Sequence, residues 1–126
     1  MRNFSGKRYW LIGASEGLGE ALAHKMSASG TELILSARDE RKLKAIVESL
    51  PNKAMALSCD VGSQRSVDSA VSQLKDIDGV VYLSGVYWPM PATEWKSAEA
   101  VTMVDINLTG ATVSYTHLTL PTIYSV

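Results

Sequence analysis

Apolar positions along the chain switch repeatedly between two periods. "RYWLIG" is a short apolar run closed by glycine, which predicts a buried strand at Tyr9–Ile12. Leu18, Leu22 and Met26 then recur at helical spacing, and Gly30 predicts the end of that helix. "ELILSA" is a second strand-like run. Leu43, Ile46, Val47 and Leu50 follow at i, i+3, i+4 and i+7, with Pro51 as a stop. "AMALSC" predicts a third strand, and Val67, Val71 and Leu74 a third helix. "GVVYLSG" is almost wholly apolar, as strands covered on both faces are. A last helix is expected from about Thr93 to Leu108, its inner face carrying Val101, Val104 and Leu108. Strand and helix alternating through short joints predict right-handed crossovers and a parallel sheet, an α/β fold.

Bulk properties narrow this picture only a little. A chain of 126 residues, 46% hydrophobic and with a net charge of −1, suits one domain of an ordinary soluble protein. No basic cluster suggests nucleic acid as a partner. No uncharged stretch is long and apolar enough for a membrane, and no spacing points to a metal. Cys59 is the single cysteine, so an intrachain disulfide is excluded and the cytoplasm is the expected compartment.

The chemistry gathers at the joint after the first strand, "IGASEGLGEAL". It sets Gly13, Gly17 and Gly19 between a strand and a helix. Gly13 permits a sharp exit from the strand, Gly17 permits backbone to approach a pyrophosphate, and Gly19 lets the helix lie tight on the sheet. The helix N–H groups then face the anion, and Ser15 adds a hydroxyl donor. Glu16 sits awkwardly beside phosphates and is expected to turn to solvent. The alternative is a tight joint that binds nothing.

The G-x-x-x-G-x-G spacing resembles the cofactor loop of the short-chain dehydrogenase/reductase family, and the resemblance continues in order from Tyr9 to about Gly110. It implies a Rossmann-type doubly wound parallel sheet with strand order 3-2-1-4, binding a nicotinamide dinucleotide at Gly13, Ser15, Gly17, Leu18 and Gly19. Asp60-Val61 matches the family's acidic contact to the adenine amino group. "YLSG" stands where the family has Asn-Asn-Ala-Gly, with Gly85 kept and Leu83 and Ser84 replaced. "DINLTG" puts Asn107 at the position of the tetrad asparagine, which helps to hold a proton-relay water. Bland alternatives remain: Asp60 capping the helix near Ser63, and Asn107 lying on an exposed helix face. His24 is expected at the surface, Trp10 and Trp95 in packing, and Trp88 in a loop that could border the site.

Cofactor choice turns on "LILSARDER". An NAD site wants a carboxylate at the end of the second strand. Position 37 is Ala, and Arg38 follows, whose guanidinium suits a 2′-phosphate. Arg41 could assist from the next turn. The expectation is NADP(H) in preference to NAD(H).

The last segment differs from the rest. After Asp105 the chain has no Asp, Glu, Lys or Arg, although these form 20% of the whole. The family's next motif, Tyr-x-x-x-Lys, is missing: Thr119 stands four residues after Tyr115, and the last lysine is Lys96. Val113–Thr122 resembles sequencing-library adapter translated in frame. The expected organisation is therefore a partial NAD(P)-binding Rossmann domain over 1–112 and a non-native tail over 113–126, with the apolar fourth strand left as an open edge. A genuine terminal strand, rich in Thr, Tyr, Val and Ile, is the competing view. The resemblance implies a homo-oligomeric parent that reduces a carbonyl or oxidises an alcohol by hydride transfer. The chain itself is then a fragment without turnover. A non-catalytic nucleotide-binding regulator on the same fold is the main alternative, and a methyltransferase on a similar sheet fits Arg38 less well.

Overall fold

The structure, a computed structural model, describes residues 3–112 and the backbone of 122–125. Five parallel strands form one sheet in the order β3-β2-β1-β4-β5. They are β1 (Arg8–Ile12), β2 (Glu32–Ser36), β3 (Ala54–Ala56), β4 (Gly79–Tyr82) and β5 (Thr122–Ser125). The first four follow the expected 3-2-1-4 order. β1 lies at the centre, with Trp10 opposite Ile34 on one side and Val80 on the other. A strand with neighbours on both sides and helices over both faces has no wet face, which is why its sequence lacks alternation.

The connecting helices divide between the two faces. Over one face, α1 (Gly17–Ala28) and α2 (Glu40–Ser49) bury Ala23, Met26, Leu43 and Ile46 against Tyr9, Leu11, Leu33, Leu35 and Val81. Over the other, α3 (Gln64–Ser72) packs Val67 and Ala70 on Trp10, Ile12, Ile34, Val80 and Tyr82. The indole N–H of Trp10 donates to Ser36 Oγ at 2.8 Å, so its one polar atom is satisfied in the core. Trp10 is fully buried, as expected of a packing residue, and His24 is exposed.

Several expectations are corrected. The inner face of α1 is Gly19, Ala23, Met26 and Ser27, while Leu18 is exposed. The helix approaches the sheet so closely at its start that only glycine fits there, and the larger Leu18 is turned out. The regular ladder of β3 covers only Ala54–Ala56. The chain nevertheless runs on beside β2, with Leu57 N–H donating to the Leu35 carbonyl and Cys59 N–H to that of Ala37.

The last helix is not one piece. A 3₁₀ turn at Ala92–Glu94 precedes α4 (Ser97–Val104), which widens into a π turn over Asp105–Thr109. Val101, Val104 and Leu108 are exposed, and Ile106 is the residue that enters the core. The widened turn shifts the phase on which the expected inner face depended. Trp95, expected to pack, is exposed too.

The expected open edge on β4 is also corrected. β5 pairs along it from Gly79↔Thr122 to Tyr82↔Ser125. An unpaired parallel edge is a template for strand-forming residues, which Thr122, Ile123 and Tyr124 are. Residues 113–121, with Tyr115 and Thr119, lie outside the described residues.

Candidate active site

A cleft of about 650 Å³ opens at the carboxyl ends of β1, β2, β3 and β4. This size lies within the range of small-molecule sites. Its walls include Gly13, Ser15, Arg38, Asp60, Val61 and Gly85, all expected from the sequence to contact the dinucleotide. Gly17, Leu18 and Gly19, also expected to bind the dinucleotide, are not among the residues that line it.

The glycine loop has specific geometric needs. Gly13 has φ of +91°, and a Cβ there would stand 2.6 Å from the Ser84 backbone nitrogen. A Cβ on Gly19 would collide with the Gly13 carbonyl, so helix and loop touch backbone to backbone. Gly17, at φ of +58°, faces open space.

Glu16 occupies the N-cap of α1 but makes no side-chain cap bond. The first helical bond runs from Glu20 N–H to the Glu16 carbonyl at 3.3 Å, so the N–H groups before it have no helical acceptor. By contrast, Asp39 caps α2 through Lys42 N–H, and Ser63 caps α3 through Ser66 N–H. An uncapped N-terminus, backbone free of Cβ atoms and a cleft of this size fit a bound pyrophosphate.

Asp60 is not the cap of α3, since Ser63 fills that role. One carboxylate oxygen of Asp60 accepts from Gly62 N–H at 2.9 Å and fixes the loop, and the residue stays exposed on the cleft wall. Beside it, burial pushes the Cys59 thiol above its ordinary pKa, with a smaller contribution from the Asp60 charge opposed by Ser66. Cys59 therefore contributes a neutral surface.

At the end of β2, Arg38 is exposed and lines the cleft. The cation that accompanies it is Lys42, in place of the expected Arg41, which does not line the cleft. Lys42 Nζ stands 3.4 Å from Glu16 Oε2, so Glu16 is exposed as expected yet paired across the cleft mouth.

The end of β4 is tied to the π turn at two points. The Tyr82 hydroxyl, buried, donates to the Ile106 carbonyl at 2.5 Å. The Asn107 side chain clamps Val86: Oδ1 accepts from Val86 N–H and Nδ2 donates to the Val86 carbonyl, both at 2.8 Å. Both polar ends of this amide are thus engaged in holding the β4 exit. One N–H and one lone pair of the amide remain for a further partner. A Cβ on Gly85 would lie 3.3 Å from Asn107 Oδ1, so the retained glycine leaves room for the clamp.

The profile of the family described as short chain dehydrogenase matches residues 7–125. The chain belongs to the short chain dehydrogenase family. It is 34% identical over 115 residues to an uncharacterized oxidoreductase of Staphylococcus epidermidis, covering 88% of this chain and 50% of that protein. It is 32% identical over 124 residues to a sulfoacetaldehyde reductase of Chromohalobacter salexigens, covering 93% and 49%. Among solved structures it resembles a metagenomic short-chain oxidoreductase in complex with NADP, with a TM-score of 0.85 at 26% identity, covering 93% of this chain and 57% of that one. The chain spans about half the length of the relatives it matches.

Within the short chain dehydrogenase frame, two functional features were missed by the sequence reading. Lys42 was passed over for Arg41 because the start of α2 was not fixed closely enough to set its helical phase. Tyr82 was read only as part of the apolar run of the fourth strand. Its spacing beyond β1 carried no sign of a carbonyl waiting in a π turn. Among the described residues, no helix is long and apolar enough to cross a membrane.

Proposed function

We propose that this chain is the cofactor-binding portion of an NADP(H)-dependent oxidoreductase that interconverts a small carbonyl compound and its alcohol. The observation that carries the cofactor choice is the end of β2. Ala37 offers no carboxylate to ribose hydroxyls, and the Asp39 carboxylate caps α2. Arg38 makes no ion pair among the described residues and lines the cleft, available to a 2′-phosphate. The metagenomic relative with NADP supports the same choice.

The nicotinamide, when bound, supplies or accepts hydride at C4. The residues of this chain hold it. The first-turn N–H groups of α1 and Ser15 bind the pyrophosphate, Asp60 accepts from the adenine amino group, and Val61 and Gly85 bound the cleft. Asn107 fixes the β4 exit against the π turn, which keeps that wall in place.

Proton transfer needs an acid beside the carbonyl oxygen, with a cation lowering its pKa. The sequence supplies no lysine after Lys96. The chain alone is therefore expected to bind NADPH weakly and not to turn over. The whole protein is expected to be cytoplasmic and homo-oligomeric. A non-catalytic nucleotide-binding role gains some support from Leu83 and Ser84, which replace the family's residues, and from the use of the Asn107 amide as a clamp on Val86. An uninterrupted gene that encodes Tyr-x-x-x-Lys downstream excludes that alternative.

Calorimetric titration with NADPH and NADH tests the proposal, with tighter binding of NADPH expected. Equal affinities contradict it. With a panel of aldehydes and ketones, no NADPH oxidation above background is expected. Turnover that falls in Asn107→Ala shows that the chain does carry its own acid.

A further inference from the structure

From the charges at the cleft mouth we infer that Lys42 is a specificity-determining residue for the adenosine 2′-phosphate, held in reserve by Glu16 until that phosphate arrives. The inference rests on the NADP(H) reading above and adds to it a residue and a regulating partner.

Five charged side chains line the cleft: Glu16, Arg38, Asp39, Lys42 and Asp60. Acids outnumber bases there, an unwelcoming setting for a ligand with an extra phosphate. Two of the acids are occupied within the protein. One Asp39 oxygen takes the Lys42 backbone N–H at 3.2 Å, and one Asp60 oxygen takes the Gly62 N–H at 2.9 Å. Glu16 remains, in the phosphate loop itself, and its neighbour is Lys42 Nζ at 3.4 Å.

This contact is a bridge between two elements. Glu16 precedes α1 and Lys42 lies in the first turn of α2, on the side of the cleft where Arg38 leaves β2. Without Lys42 the Glu16 carboxylate would repel a 2′-phosphate.

The contact is also weak. The side chains are 54% and 77% exposed, and ion pairs so exposed contribute little. A phosphate near its dianionic form, with three acceptor oxygens, is the stronger partner for an ammonium. Lys42 can therefore leave Glu16 at little cost and join Arg38 on the phosphate, while Glu16 turns to water. NADH offers only ribose hydroxyls at that place and does not draw Lys42 away. The lysine backbone, not its side chain, serves the α2 cap, so replacing the side chain leaves the helix start intact.

The test is titration of NADPH and NADH into the full chain and into Lys42→Gln, Lys42→Arg, Glu16→Gln and Arg38→Ala, each checked by circular dichroism. Lys42→Gln is expected to weaken NADPH binding about tenfold, the low end of a charge-assisted hydrogen bond, with NADH unchanged. Lys42→Arg should retain the preference. Glu16→Gln should strengthen NADPH binding about threefold and leave NADH alone, which is the scale of an exposed pair. Equal losses for both cofactors in Lys42→Gln, or no loss for either, overturn the inference. If Arg38→Ala lowers NADPH affinity while Lys42→Gln does not, only the role of Lys42 fails. If neither variant discriminates, or the unaltered chain binds neither cofactor, the NADP(H) reading fails with it.

Discussion

The two ends of the sheet handle charge in opposite ways. At the amino end, charges are satisfied within the protein. Arg8 donates through Nε and Nη2 to Glu32 Oε1 at 3.1 and 2.8 Å and through Nη1 to the Lys75 carbonyl, and Lys53 stands 3.5 Å from the same carboxylate oxygen. Asp78 accepts from Arg8 N–H, joining β1 to the start of β4. At the carboxyl end, by contrast, Arg38 has no ion-pair partner among the described residues and α1 has no side-chain cap. Lys42 is held only by an exposed carboxylate. One end is a structural clasp, and the other keeps donors available for a ligand. An anion site in an α/β sheet can be recognised by what its donors leave unmade.

The contrast can be broken most severely at Gly13. Gly13→Ala sets a side chain on a left-handed backbone and drives it into the Ser84 main chain. A stability loss of about 2–4 kcal/mol in urea denaturation is expected, with cofactor binding lost. Unchanged stability would show that the loop and the β4 exit do not touch as described.

Arg38→Ala should separate binding from folding. NADPH affinity is expected to fall by about 1.5–3 kcal/mol by calorimetry, with NADH affinity and melting temperature unchanged. Equal loss for both cofactors would make Arg38 a structural residue and remove the contrast.

Tyr82→Phe should weaken the tie between sheet and π turn. The buried Ile106 carbonyl loses its donor, which should cost about 1–2 kcal/mol of stability in denaturation. The Asn107 clamp lies next to it, so exchange of the Val86 amide hydrogen should quicken as well. An unaltered Val86 would separate the two ties.

The amino end should show the smallest effect. Glu32→Gln is expected to lower stability by about 0.5 kcal/mol, since the pair is partly exposed, and to leave cofactor affinity unchanged. The hydrogen bond from Arg8 holds the Glu32 carboxyl below its ordinary value of 4.5, against some desolvation. A depressed folded-state pKa means stability that is present above that value and lost as pH falls through the lowered one. The acid limb of a stability profile should therefore flatten in Glu32→Gln. Altered NADPH binding in this variant would break the division between the two ends.

The strand order and the central place of β1 came from the family resemblance. The strands and the glycine loop were legible because each is written locally, in runs of apolar residues and in one joint. Trp10 was legible for the same reason. The faces of α1 and α4 were not. At Gly19 backbone contact excludes the large residue that periodicity favours, and at Asp105–Thr109 a π turn shifts the phase. Asn107 could be placed by its motif but not understood by it, because its partner Val86 lies 21 residues away. Lys42 needed the exact start of α2, where one residue of error rotates the wheel by about 100°.

Burial of Trp10 has an optical consequence. The other two tryptophans, Trp88 and Trp95, are exposed, while Trp10 is sealed at the sheet centre with its indole N–H bonded to Ser36. Iodide should quench the two outer indoles and spare the inner one, leaving a blue-shifted residual emission. That residual signal belongs to the central strand alone, so its shift to the red during denaturation times the opening of the sheet and ignores loosening at the surface.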